Sequence, residues 1–183
     1  MKKFFTVFSM LLIGFYSQAQ FKSATLQASG LTCSLCSKSI LKSIEKIPFV
    51  QSVKADIQTS GFEIDFQENQ VVDFDQIKKA VEDAGFSVAR LDVQAIMNET
   101  AIQPDAHIEM GGVVLHFMNV KKQQLQGATK LRIIDKNFLP TKEHKKMSQY
   151  TKMTCFQTGV MESCCTTTAS NSNNSKRVYH VTL

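Results

Sequence analysis

The sequence predicts an α+β protein, and three observations predict it. Over residues 20 to 92 the apolar period switches between two and about 3.6, in the order strand, helix, strand, strand, helix, strand. After residue 106, strand-like apolar runs recur with one short helical stretch between them. The 183 residues, 43% hydrophobic and 20% charged, have a globular balance that excludes a disordered chain, and their number excludes a large catalytic barrel.

Residues 1–19 read as a signal peptide. Lys2 and Lys3 precede a largely apolar stretch from Phe4 to Tyr16, and Ser17-Gln18-Ala19 places small residues before a cut after Ala19. The mature protein is therefore expected to be exported, periplasmic or secreted. No later segment approaches the roughly 20 apolar residues of a membrane span, so no transmembrane segment is expected in the mature chain.

Ala24, Leu26 and Ala28 alternate, marking a strand that ends at Gly30. Ile40, Leu41, Ile44 and Ile47 then form one stripe of a helix that Pro48 stops. Val53, Ala55 and Ile57, the Ser60-Gly61 turn, and Phe62, Ile64 and Phe66 make a hairpin. Asp73 and Gln76 resemble a capping box ahead of the stripe Phe74, Ile77, Val81 and Ala84, and Gly85 closes that helix. Phe86, Val88 and the positions around Leu91 complete a last strand. This order is the ferredoxin-like βαββαβ arrangement, with two helices on one face of a four-stranded antiparallel sheet.

Chemistry enters at Gly30-Leu31-Thr32-Cys33-Ser34-Leu35-Cys36. Two thiols at a helix entrance have lowered pKa values, and paired thiolates favour soft cations: Cu(I) first, with Hg(II) and Zn(II) as the other candidates. The same spacing also serves thioredoxin-like redox sites, half of a zinc site and plain disulfides. A closed four-ligand zinc site is excluded within this half, because Cys33 and Cys36 are the only Cys or His between residues 20 and 106. The aromatic or Pro-rich surroundings of a thioredoxin-like motif are missing as well.

Residues 23–92 resemble a heavy-metal-associated domain, the module of copper chaperones, copper-pumping P-type ATPases and the periplasmic mercury-binding protein. The matching features are Gly30 through Cys36, the element order, and Gly85-Phe86 after the second helix, which in the family lies near the metal loop. Leu31 stands where the family usually has Met, a volume-conserving exchange. The resemblance implies a soft metal ion held by Cys33 and Cys36, and a metal-transporting membrane protein or another metallochaperone as partner.

The division is expected to be a signal peptide at 1–19, the heavy-metal-associated domain at 20–92, a linker at 93–106 and a β-rich domain at 107–183. Charge supports a boundary: residues 20 to 92 hold 8 basic and 10 acidic residues, and 93 to 183 hold 11 and 6. Without the leader, 19 basic residues face 16 acidic ones, a balance that predicts no nucleic-acid partner. Val113 to Val120, Lys130 to Phe138 and Arg177 to Leu183 read as strands, Thr141 to Tyr150 as a helix, and Thr166 to Ser175 as a loop.

All four histidines (His107, His116, His144 and His180), three cysteines and all six methionines beyond the leader lie after residue 92. His116 and Met118 should share a strand face, and His144 with Met147 a helix face. His116, Met118, Cys155, Cys164 and Cys165 are therefore secondary candidates for metal ligands, against a plain core role for each. Cys155 bridged to Cys164 or Cys165 is the disulfide expected here. No nucleophile triad, phosphate loop or paired-carboxylate motif stands out, so no enzyme is expected. The reading is a soft-metal carrier, most simply for copper. A thiol-disulfide redox protein and an envelope interaction protein with a structural CxxC disulfide are the alternatives.

Overall fold

The computed structural model describes residues 20–31, 34–56, 61–165 and 176–183. The expected signal peptide, the 166–175 loop and the Ser60 turn residue lie outside them. The first half is built as its periodicity predicts: β1 (Gln20–Ser29), α1 (Ser34–Ile44), β2 (Val50–Asp56), β3 (Gly61–Phe66), α2 (Phe74–Asp83) and then β4. Asp73 caps α2, accepting from the Asp75 backbone N–H at 3.0 Å and from Gln76 Nε2 at 3.1 Å. Gly85, at φ +87°, turns the chain out of the helix.

The second half departs from expectation. β4 does not stop near residue 92 but runs from Ser87 to Ile102, so most of the expected linker is strand. Its inward alternation continues without a break: Leu91, Val93, Ala95 and Met97 are all buried. A bulge between Met97 and Thr100, with Glu99 at φ +39°, keeps the strand paired past Asn98. β5 (Ala106–Met110), β6 (Val113–Phe117), β7 (Gln123–Ile133), α3 (Thr141–Met147), α4 (Cys155–Thr158) and β8 (Val178–Thr182) follow. β7 begins seven residues before the strand expected from Lys130 and ends before Phe138.

These strands form one eight-stranded sheet, in the order β2-β3-β1-β4-β7-β8-β6-β5, rather than a four-stranded sheet beside a separate one. The join is the antiparallel ladder of β4 with β7, from Leu91 opposite Ile133 to Ile102 opposite Gln123. Near its Leu91 end the buried Asp92 is held by Arg90, Lys130 and Arg132. β6 and β8 are parallel, which makes the sheet mixed.

Successive residues of β8 point to opposite faces. Tyr179 packs edge-on against Phe74 of α2, which in turn meets Phe21 of β1, whereas His180 packs against Phe156 of α4. Thus α2, with α1 beside it, covers one face, and α4 covers the other. The larger core lies under α1 and α2; Met118, Ile134, Leu139 and Phe156 make a smaller one beneath α3 and α4, with Met147 packed against it.

Candidate functional site

The CxxC segment leaves β1 through Gly30, which adopts φ +84°, a conformation open to glycine at little cost. Phe86 lies against this turn: a Cβ added at Gly30 would stand 3.9 Å from the Phe86 ring. Leu31 and Phe86 both pack onto the main core and fix the base of the loop. Cys33 lies outside the described residues. Cys36 sits in the first turn of α1, is partly exposed and takes part in a disulfide. Leu35, between the two cysteines in sequence, is 76% exposed.

Residues 25–87 match the family model of the heavy-metal-associated domain. The match contains the Gly30 turn, the CxxC segment, both helices that frame it and the Phe86 contact. A probable copper-exporting P-type ATPase of Archaeoglobus fulgidus is 34% identical over 74 residues, 40% of this chain and 9% of the relative. A probable copper-transporting ATPase of Arabidopsis thaliana is 33% identical over 72 residues, 39% of this chain and 7% of the relative. This chain thus spans less than a tenth of the length of either relative, and the likeness concerns one module of each. Among solved structures, oxidized MerP of Ralstonia metallidurans is 30% identical, with 38% of this chain and 97% of that chain covered and a TM-score of 0.34. The yeast copper transporter domain Ccc2a, solved apo and Cu(I)-loaded, is 26% identical, with 36% and 88% covered and a TM-score of 0.32.

Beyond the matched residues 25–87, the structure brings some of the secondary candidates together and separates others. The two-residue Gly111-Gly112 turn, with φ +55° and +81°, sets the β5–β6 register and places His107 opposite His116. On the other side of β6, His116 stands opposite His180 of β8. Three imidazoles therefore form a row across three strands, with ring centroids 4.2 Å apart for His107 and His116 and 4.9 Å for His116 and His180.

Cys155, at the start of α4, is fully buried over this row. Its Sγ lies 3.6 Å from His107 Nε2 and 3.6 Å from His116 Nδ1. One donor atom from each of the three residues falls within 4.8 Å of the other two. The expected Cys155 bridge is not formed: Cys155 and Cys165 are both thiols. The side chain of Cys164 lies outside the described residues. Cys165 is buried in a short 3₁₀ turn, Ser163–Cys165, and does not belong to the three-residue cluster.

Met118 is also buried, but it packs with Ile134, Leu139 and Phe156 in the smaller core. The residue that joins His116 is therefore not Met118 but His107, which periodicity within one strand does not reveal. His144 stacks on Phe156 at 4.7 Å between centroids, at the margin of the same region.

Carboxylates hold two of the imidazoles from outside. Asp105 Oδ1 accepts from His116 Nε2 at 3.0 Å, which leaves Nδ1 as the lone-pair nitrogen facing Cys155. Asp135 Oδ1 accepts from His180 Nδ1 at 2.5 Å, leaving Nε2 as the lone-pair nitrogen. Burial, then the neighbouring imidazoles, push His116 down to about 4 against the pull of Asp105. Burial is also the main reason that His107 is lowered. Both rings are neutral at neutral pH.

Proposed function

We propose that this chain is an exported soft-metal carrier that captures copper through Cys33 and Cys36 and passes it to a metal-transporting membrane protein or another metallochaperone. The observation that carries the proposal is the match of residues 25–87 to the heavy-metal-associated domain with the thiol pair inside it. Two relatives named for copper export or transport over the same module support copper as the cargo. No helix among the described residues is long and apolar enough to cross a membrane.

The chemistry follows from the ligand set. Reduced Cys33 and Cys36, at the entrance of α1, supply two thiolates to a Cu(I) ion in near-linear coordination. An incoming thiolate or thioether adds as a third ligand, and departure of the original pair completes the handover. Low coordination keeps an entry path open for that third ligand. The disulfide state of Cys36 cannot act in this way, so oxidation switches capture off.

The test is metal analysis of the reduced chain against the Cys33→Ser, Cys36→Ser chain, with Cu(I) in competition with a chromophoric chelator. One tightly held equivalent should disappear with the double change. Equal tight stoichiometry in both chains would refute the assignment. Insulin-reduction turnover comparable to a thioredoxin would instead favour a redox protein.

A further inference from the structure

We propose that His107, His116 and Cys155 form a second metal site, with His180 as fourth donor, for one d¹⁰ ion, Zn(II) or Cu(I). It is separate from the CxxC site in residues, ligand chemistry and place in the fold.

Distance is the first argument. A tetrahedral ion about 2.3 Å from a sulfur and about 2.05 Å from a nitrogen holds those donors about 3.6 Å apart. Both sulfur–nitrogen separations around Cys155 are 3.6 Å. The sulfur is thus spaced from each of the two nitrogens as a shared ion would require, and the three donors lie within 4.8 Å of one another.

Orientation is the second. Metal-bound imidazoles commonly donate their remote N–H to a carboxylate, which sets the tautomer and aims the lone pair. Asp105 does this for His116, and Asp135 for His180. Asp135 is held in turn by Arg177 Nη2 at 3.3 Å and by the His180 backbone N–H at 3.3 Å.

The third argument is an unmet need. His180 is fully buried, and its Nε2, the lone-pair nitrogen left by the Asp135 bond, has no hydrogen-bond partner among the described residues. An acceptor left so in the interior costs about 1–3 kcal/mol, and metal coordination would remove the cost. The His180 ring lies edge-on beside His116 but outside the three donors that group within 4.8 Å, so its Nε2 would have to move toward them to complete the set.

A line of thiol, imidazole and carboxylate also occurs in thiol nucleophiles, but Cys155 has no exposed surface and a second imidazole contacts its sulfur. Burial suits a ligand to a small ion better than a nucleophile that must meet a substrate. A cavity of about 550 Å³ lies on the His107 side of the cluster, lined by Ile102, Asp105, His107, Lys122 and Gln124. On binding, the Cys155 thiol loses its proton to water and the thiolate takes its place on the metal.

The test uses the full chain carrying Cys33→Ser and Cys36→Ser, with its remaining thiols reduced. Zn(II) and Cu(I) are titrated separately in competition with a chelator, and Co(II) serves as a spectroscopic substitute for Zn(II). We expect one equivalent bound, a thiolate-to-Co(II) charge-transfer band, and a raised unfolding temperature in the metal. Cys155→Ser should abolish the band, and Asp105→Asn should weaken binding about 10–100-fold without removing it. No binding by the doubly substituted chain, or binding that survives Cys155→Ser with its band intact, overturns the proposal. If Cys155→Ser fails to fold, His107→Gln takes its place, and an unchanged affinity there overturns it equally. Failure here leaves the CxxC assignment untouched, because that site is absent from the tested chain.

Discussion

Replacing Arg177 with Met should destabilise the protein by about 3 kcal/mol at neutral pH, because Arg177 ties the first half of the chain to the second. Its Nε donates to Asp75 Oδ2 at 2.7 Å, on the first turn of α2, and its Nη2 reaches Asp135 at 3.3 Å. The guanidinium also lies 4.3 Å from the Tyr179 ring centroid. The Asp75 interaction, with both side chains 32% exposed, contributes about 1.5 kcal/mol. Asp135 is 6% exposed but keeps His180, so that bond adds about 1 kcal/mol. The cation–π contact adds about 0.5 kcal/mol. For a chain of this size the sum lowers the unfolding temperature by about 6–12 °C. Acid should remove much of the difference. Burial raises the Asp75 carboxyl, but Arg177 and then Lys78 outweigh it and hold it below its ordinary 3.8. A carboxylate whose folded pKa is depressed contributes stability that is present above the unfolded value and lost as pH falls through the folded one. The gap between wild type and Arg177→Met should therefore be full at pH 7 and narrow below about pH 3.8. Thermal and urea unfolding at both pH values measure it. A loss under about 1 kcal/mol at pH 7, or a gap of equal size in acid, would refute the reasoning.

Gly112→Ala should cost about 2 kcal/mol or more, since φ is +81° and the new Cβ would meet Val71 Cγ2 at 3.0 Å; unchanged urea unfolding would contradict this. Gly30→Ala should cost about 1–2 kcal/mol from backbone strain alone, because its Cβ would make only an ordinary 3.9 Å contact with Phe86. A shift of its unfolding temperature as large as that of Gly112→Ala would show that the space was misjudged. Ending the chain after Asp92 should yield a fragment markedly less stable than the whole, because the cut removes the β7 ladder and leaves Phe21 without its β4 partner Ala95; a fragment melting at the full chain's temperature would contradict the single sheet.

Much of the first half was legible because its contacts are local or set by short turns. The Asp73 cap, the Gly85 stop and the apolar stripe of α2 each lie within a few residues of what they act on. The misread linker has a physical cause. Leu91, Val93, Ala95 and Met97 alternate strictly, but Asn98 and Pro104, with the change in charge balance, imitate a boundary. The structure places Asn98 at a bulge within β4 and Pro104 in the turn before β5.

The imidazole row was partly legible too. A two-residue Gly111-Gly112 turn pairs Met110 with Val113 and, counting outward, His107 with His116, so the hairpin alone contains the first contact. Neither His180 nor Cys155 follows from such counting. The parallel pairing of β6 with β8 is separated in the chain by β7 and two helices, and Cys155 reaches the row from a four-residue helix on the sheet's second face. Long-range pairings of that kind depend on the whole fold rather than on local pattern.

The two proposed sites would answer oxidation in opposite ways. Cys36 is partly exposed and already in a disulfide, so at the CxxC motif an oxidant removes a thiolate that metal capture needs. Cys155 remains a thiol, with no exposed surface, and is shielded by the imidazoles it contacts. Thiol oxidation follows exposure and thiolate character, so the buried sulfur should persist where the partly exposed Cys36 is oxidised. A chain placed in an oxidising compartment would then keep the imidazole-rich site for a d¹⁰ ion while its dithiol site opens only when a reductant reaches it.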